Sequence, residues 1–263
     1  MIGRLGLRTI ALTYLLALLI VPVTIIVAHT FSGGLTPVLN AATQHDALRA
    51  LELTLEIALI TVPLNTIFGI TMALLIVRRN FPGKVLLSAL IDLPFAVSPV
   101  VVGFTLILVY GQNGWFGSWF ISQGEPIIFA MPGMVIATIF ASLPFVAREV
   151  IPVLREIGTE QEQAASTLGA RPLQAFRRVT LPAIRWGIIY GVVLTTARSI
   201  GEFGAVAVVS GNVIGQTQTL TLRVSQEYAN FDHIGAYTAA LELAVIALIT
   251  LFLMNLIQPR KDH

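Results

Sequence analysis

The sequence contains no cysteine, which excludes disulfides, thiolate metal sites and cysteine nucleophiles. Histidine is scarce as well. His29, His45, His233 and His263 fall at the ends of apolar runs, in a loop and in the tail, with no facing set suited to a metal or a haem. No histidine lies near Ser199 or Ser210 along the chain to serve as the base of a serine nucleophile. The phosphate-binding pattern G-x-x-x-x-G-K-[ST] is missing too: Gly83-Lys84 is followed by Val85 and has no upstream glycine at the required distance. Charge is the largest deficit, at 11% of residues against about 25% in a soluble domain. No internal repeat stands out, which weakens the case for an inverted-repeat secondary transporter.

What the chain has in abundance is apolar length. Hydrophobic residues make up 56% of its 263 residues and the mean hydropathy is +0.83. Apolar runs near the roughly 20 residues needed to cross a hydrocarbon core recur along it. They predict an all-α membrane protein with six spans in a single transmembrane domain, 1–263: about 10–30, 51–77, 85–110, 127–147, 186–210 and 234–257. The first run is longer than the apolar part of a signal peptide and ends without a clear cleavage site, so it reads as a retained span. Trp115, Phe116, Trp119 and Phe120 suit the headgroup level of a membrane. With the N-terminus inside, Arg4, Arg8, Arg78, Arg79, Arg148, Arg155 and Arg260 share one side, and Arg49 and Arg223 stand outside. The positive-inside rule then makes both termini cytoplasmic.

The only long polar stretch is 159–188. Thr159 and Glu162 have the spacing of a capping box, which predicts a short helix through Gln163, Ala164, Ala165 and Leu168. Gly169 supplies the left-handed residue that ends it. Pro172 suits the first position of a second helix carrying Leu173 and Phe176, and Leu181-Pro182 is expected to interrupt that helix before the next span. Ala164 and Ala165 leave room for a partner to approach the backbone, with Leu168 and Phe176 as apolar anchors.

Ionisable groups inside a span are costly and are functional candidates by default. Thr195, Arg198, Ser199 and Glu202 recur at helical spacing as one polar stripe, with Arg198 and Glu202 four apart and able to pair. Either the pair neutralises itself within a packed bundle, or the stripe faces a hydrated path, with Gly201 and Gly204 allowing close approach or hinge movement. In the third span, Ser98 and Pro99 are further pathway candidates because Pro99 leaves a carbonyl without its N–H partner and can kink the helix. Asp92, lower on that span, suits a helix–helix hydrogen bond better than a substrate contact.

The run QAASTLGARPLQAFRRVTLPAIRWGI resembles the EAA loop by which permeases of ABC importers engage their ATPase. The leading glutamate of that pattern is Gln163 here, with Glu162 one residue earlier. DLPFAVSPVVVG, YGQNGWFG, SLPFVAREV and ARSIGEFGAVAVVSG resemble segments of sulfate/thiosulfate importer permeases, the last most similar to the W-type subunit. The resemblance implies a type I ABC importer permease fold with a cytoplasmic coupling-helix loop in a bacterial inner membrane. Glu162, Gln163, Ala164, Ala165, Leu168, Gly169 and Phe176 would then dock the ATPase. The partners it implies are a T-type permease completing a heterodimer, two ATPase subunits that bind ATP and Mg, and an extracytoplasmic sulfate-binding protein. Catalysis, a cofactor in this chain and nucleic-acid binding are not expected. Molybdate and tungstate permeases share the Gly-Glu-Phe-Gly element and are the alternative; a secondary anion transporter is the alternative from another class.

Overall fold

The computed structural model describes residues 2–257, which are helices and connections with no strand. In chain order the helices are α1 (Ile2–Thr30), α2 (Leu35–Ala42), α3 (His45–Arg78), α4 (Lys84–Ala96), α5 (Pro99–Tyr110), α6 (Gly117–Ser122) and α7 (Met131–Ser142). They continue with α8 (Pro144–Glu156), α9 (Glu160–Thr167), α10 (Pro172–Ala175), a π turn (Phe176–Thr180), α11 (Leu181–Ile200), α12 (Gly204–Val209), α13 (Leu220–Ala229) and α14 (His233–Ile257).

Five of these stretches are long and apolar enough to cross a membrane: Gly6–Thr30, His45–Arg78, Met131–Glu156, Pro172–Ile200 and His233–Thr250. The stretch expected as a third span, 85–110, is two helices, α4 and α5, bent by 109°, which together are apolar enough to make a sixth, broken span. The cause is local. A residue before proline is pushed out of the helical region, and both Val97 (φ −100°, ψ 133°) and Ser98 (φ −61°, ψ 132°) are extended ahead of Pro99. Two extended residues turn the axis where a lone proline would only kink it.

Leu181-Pro182, expected to interrupt a helix, does not. Pro182 has no N–H to give the carbonyl four residues back, and the preceding turn widens into π geometry, with Leu181 N–H bonded to Phe176 O. Helix continuity from Pro172 to Ile200 is kept. The chain then leaves the helix at 201–203, so α12 is a separate short helix.

The packing centre is α8, between α3 and α11. A Cβ at Gly69 would lie 2.6 Å from Val146 Cβ, and one at Gly191 would lie 2.6 Å from Val146 Cα. Two glycines thus let α3 and α11 close on one valine, the small-residue device by which helices associate where lipid removes the hydrophobic drive. Around that contact Ala73, Ile76, Val150, Leu154 and Ile184 are buried together. A second cluster, nearer the other end, joins Leu53 and Ile57 of α3 to Met134, Val206 and Leu222. At ~1.5 Å per residue α3 is about 51 Å long, well beyond a ~30 Å hydrocarbon core. Its C-terminal residue, Arg78, therefore reaches the α9–α10 hairpin.

Candidate functional site

Residues 160–175 of the polar stretch form a helical hairpin at the end of the bundle. Gly169 has φ +83°, a left-handed conformation that a residue with a Cβ adopts only at a cost, and Ala170 N–H bonds back to Ala165 O at 3.0 Å. Pro172 opens α10 as expected, where a missing N–H costs nothing. Leu168 at the turn is 88% exposed and Leu173 is 67% exposed. Gln163 and Ala164 are exposed and Ala165 is half-buried. Ala164, Ala165 and Leu168 face Arg178, Val179 and Pro182 across an open cleft of about 690 Å³. Phe176, expected as an outward anchor, is half-buried and lines a second cleft with Leu74 and Leu75 of α3. The second exposed apolar group is Leu173.

The expected capping box is not formed. Thr159 lies near the helical region (φ −114°, ψ −3°) and its side chain caps no backbone N–H; its Oγ1 accepts from Gln163 Nε2 at 3.1 Å. Glu162 does not turn back to the helix start. Its carboxylate accepts from Arg78 Nε and Nη2 at 3.2 and 3.1 Å and from Thr180 Oγ1 at 2.9 Å. A fixed guanidinium outcompetes the exposed N–H of Thr159 because a charge-assisted bond is the stronger one.

The structure divides the polar stripe of α11. Thr195 and Ser199 are buried and turned inward, with Ser199 Oγ 3.5 Å from Ser142 Oγ of α7. Arg198 Nη1 lies 2.6 Å from Glu202 Oε2, and the two side chains are unequally covered, at 32% and 1% exposure. Glu202 sits beyond the end of α11, where its Oε1 accepts from Ala205 N–H at 2.9 Å and its backbone O accepts from Thr221 Oγ1 at 2.8 Å. The pair therefore closes the break between α11 and α12. Ser98 is exposed at the start of α5. Pro99 packs closely on Gly204, where a Cβ would lie 3.0 Å from Pro99 Cβ. Pro99 and Glu202 are thus neighbours through α12, although they stand on different segments.

Residues 65–263 match the family of binding-protein-dependent transport system inner membrane components. The chain belongs to that family. The permease is 52% identical over 97% of its length to the sulfate transport system permease protein CysW of Synechocystis sp., covering 92% of that protein. It is 36% identical over 95% of its length to the CysT permease protein of Salmonella typhimurium, covering 90% of it. Its fold matches a permease chain in the crystal structure of a bacterial alginate ABC transporter in complex with alginate pentasaccharide-bound periplasmic protein. That match has a TM-score of 0.80 at 18% identity, covering 98% of this chain and 94% of that one. The fold is therefore the type I ABC permease fold.

Three polar groups of the permease escape a reading by spacing alone. Asn65, in the middle of α3, is buried and donates to Ser142 Oγ at 2.8 Å and Ile139 O at 3.1 Å. An asparagine inside an apolar run is the signal that could have found it. Asp92 and Arg148 form a two-bonded ion pair between α4 and α8, the helix–helix role expected of Asp92. Its partner Arg148, one of the arginines expected on the basic side, is thereby neutralised between two helices. Arg223, expected in an outer loop, is 3% exposed and donates to Gln44 Oε1 at 2.9 Å, with Glu227 at 3.3 Å.

Proposed function

We propose that this permease forms half of the translocation pathway of an ATP-driven sulfate importer. It would pair with a T-type permease, two ATPase subunits and an extracytoplasmic binding protein. The observation that carries the reading is the α9–α10 hairpin: an exposed Leu168–Gly169 tip, flanked by Ala164 and Leu173, on a bundle of membrane-length helices. Such a tip suits a groove in an ATPase, because Leu168 supplies an apolar anchor and Ala164 lets backbones approach. The sulfate assignment is supported by near full-length identity to proteins named for sulfate transport. Thiosulfate shares that tetrahedral oxyanion chemistry and belongs to the same proposal. The basic residues clustered at the hairpin end support a cytoplasmic hairpin and cytoplasmic termini.

Arg198, the arginine of the α11 stripe, offers no unpaired positive charge to a dehydrated dianion, since it is neutralised by Glu202. Stripping a doubly charged anion of water in a low-dielectric site is expensive. Sulfate therefore passes hydrated, and selection rests with the binding protein; hydrolysis of ATP, with its Mg, rests with the ATPases.

The test is uptake into proteoliposomes containing both permeases and the ATPases, with binding protein and labelled sulfate outside. Uptake is expected to require ATP and to survive collapse of ion gradients. Uptake without ATP that collapses with the gradient would overturn the reading in favour of a secondary transporter. Preference for molybdate over sulfate would reassign the substrate.

A further inference from the structure

The guanidinium of Arg78 is the meeting point of four elements. Its Nη1 donates to Leu154 O of α8 at 3.0 Å and its Nη2 to Gly158 O, just past α8, at 2.7 Å. Its Nε and Nη2 hold the Glu162 carboxylate of α9, which also accepts from Thr180 Oγ1 of the π turn. Leu154 O lies in the last turn of α8, where carbonyls lack intrahelical donors and a cation is favoured. The side chains of Arg78 and Glu162 are 14% and 25% exposed, so solvent screens this pair less than one on an open surface.

No residue of α9 is buried, so apolar packing does not fix that helix to the bundle. Among the described residues, Glu162 is the only side chain of α9 with a hydrogen bond to another helix. The hairpin is tied to α11 by the chain itself, through α10 and the π turn. To α8 it is joined by the short link 157–159 and by Arg78, and to α3 by Arg78 and by Phe176 of the π turn, which faces Leu74 and Leu75.

We propose that the Arg78–Glu162 pair is the coupling node that makes α3 and α8 follow the hairpin when an ATPase moves it, with Arg78 as a positioning residue. The inference rests on the docking reading of the hairpin. Without the node, hairpin movement enters α11 and reaches α3 only through the half-buried Phe176 contact, while its link to α8 slackens at 157–159, where Gly158 (φ +64°) joins α8 to α9. With it, the three helices closed around Val146 turn as one body.

The experiment uses the whole complex in proteoliposomes and measures sulfate taken up per ATP hydrolysed, normalised to assembled complex. Glu162→Gln and Arg78→Gln are expected to assemble and to hydrolyse ATP, while sulfate per ATP falls about tenfold, within the usual range of coupling between sites. Arg78→Lys is expected to fall between these and the parent, because an ammonium meets the carboxylate but lacks the planar fork that also reaches both carbonyls. Thr180→Val, which keeps shape and removes one bond to Glu162, should lower the ratio in the same direction by a few-fold, in line with about one hydrogen bond. An unchanged ratio in the glutamine variants and in Thr180→Val overturns the node, as does a loss accounted for by fewer assembled complexes. Leu168→Asp separates the two ideas. If it leaves the ATPases bound, the docking reading fails; if it releases them while the node variants stay fully coupled, only the node fails.

Discussion

The Arg–Glu pair at each end of α11 uses the same chemistry for different ends. Arg198–Glu202 joins residues four apart, with the carboxylate sealed and the guanidinium a third exposed; it closes a local break by fastening α11 to α12. Arg78–Glu162 joins residues 84 apart in the chain, with both groups partly covered, and gathers carbonyls from a third element. The lesson is that an ion pair's contribution depends on what else its atoms satisfy. The first is a cap that neutralises a buried acid. The second is a junction whose loss frees a helix with little other attachment.

The largest effect should come from the rigid contact between the two pairs. Gly191→Leu forces a side chain into the Val146 backbone, and overpacking of this kind costs about 3 kcal/mol or more when backbone has to move. We expect little folded permease to be recovered from detergent. A normal yield and melting temperature would show that α8 and α11 separate easily, and the two ends of α11 would then be mechanically independent.

Within the Arg198–Glu202 pair the two halves should not be equivalent. Arg198→Met strands a sealed carboxylate and is expected to cost about 3 kcal/mol, whereas Glu202→Gln strands an arginine that still meets solvent and should cost about 1 kcal/mol. Thermal unfolding of the purified permease pair measures the difference; equal losses would contradict the cap. The double variant, Arg198→Met with Glu202→Gln, is expected to recover most of the stability lost in Arg198→Met. Poor transport by a stable double variant would add a pathway role to the structural one.

Arg78→Met should be mild in the same melting assay, about 1 kcal/mol, because Glu162 retains Thr180 and some water. Its main loss should be in coupling. A large drop in melting temperature would make this pair a stability element like the other and erase the contrast. The smallest effect is expected for Thr195→Val. The hydroxyl of Thr195 is buried with no partner, so its removal should change stability by under about 1 kcal/mol and can stabilise. Ser142→Ala, which removes a hydroxyl bonded to both Thr138 O and Asn65, should cost more. Melting curves of the two variants side by side test that order.

Much of the architecture was legible because it follows from short-range rules. Apolar length marked the spans, Gly169 marked a left-handed turn, Pro172 a helix start, and a spacing of four the Arg198–Glu202 pair. The misreadings came where a local rule met a distant competitor. Thr159 and Glu162 have the spacing of a capping box, but Arg78 claims the carboxylate. Phe176 reads as exposed in a polar stretch until α3 is laid beside it. Thr195, Arg198, Ser199 and Glu202 share a spacing, yet their surroundings divide them. Inward-facing neighbours on α7 cover one half, and the turn at 201–203 carries Glu202 out of the helix.

By itself the sequence determined a polytopic helical chain with a hairpin ending in Gly169, because hydropathy and backbone preference act over a few residues. Tertiary structure alone decided which way 85–110 bends, that Val146 is gripped between Gly69 and Gly191, and that Arg78 meets Glu162. Those outcomes depend on the relative height and rotation of helices far apart in the chain. Such registers are set by the packing of many side chains together, and no local spacing encodes them.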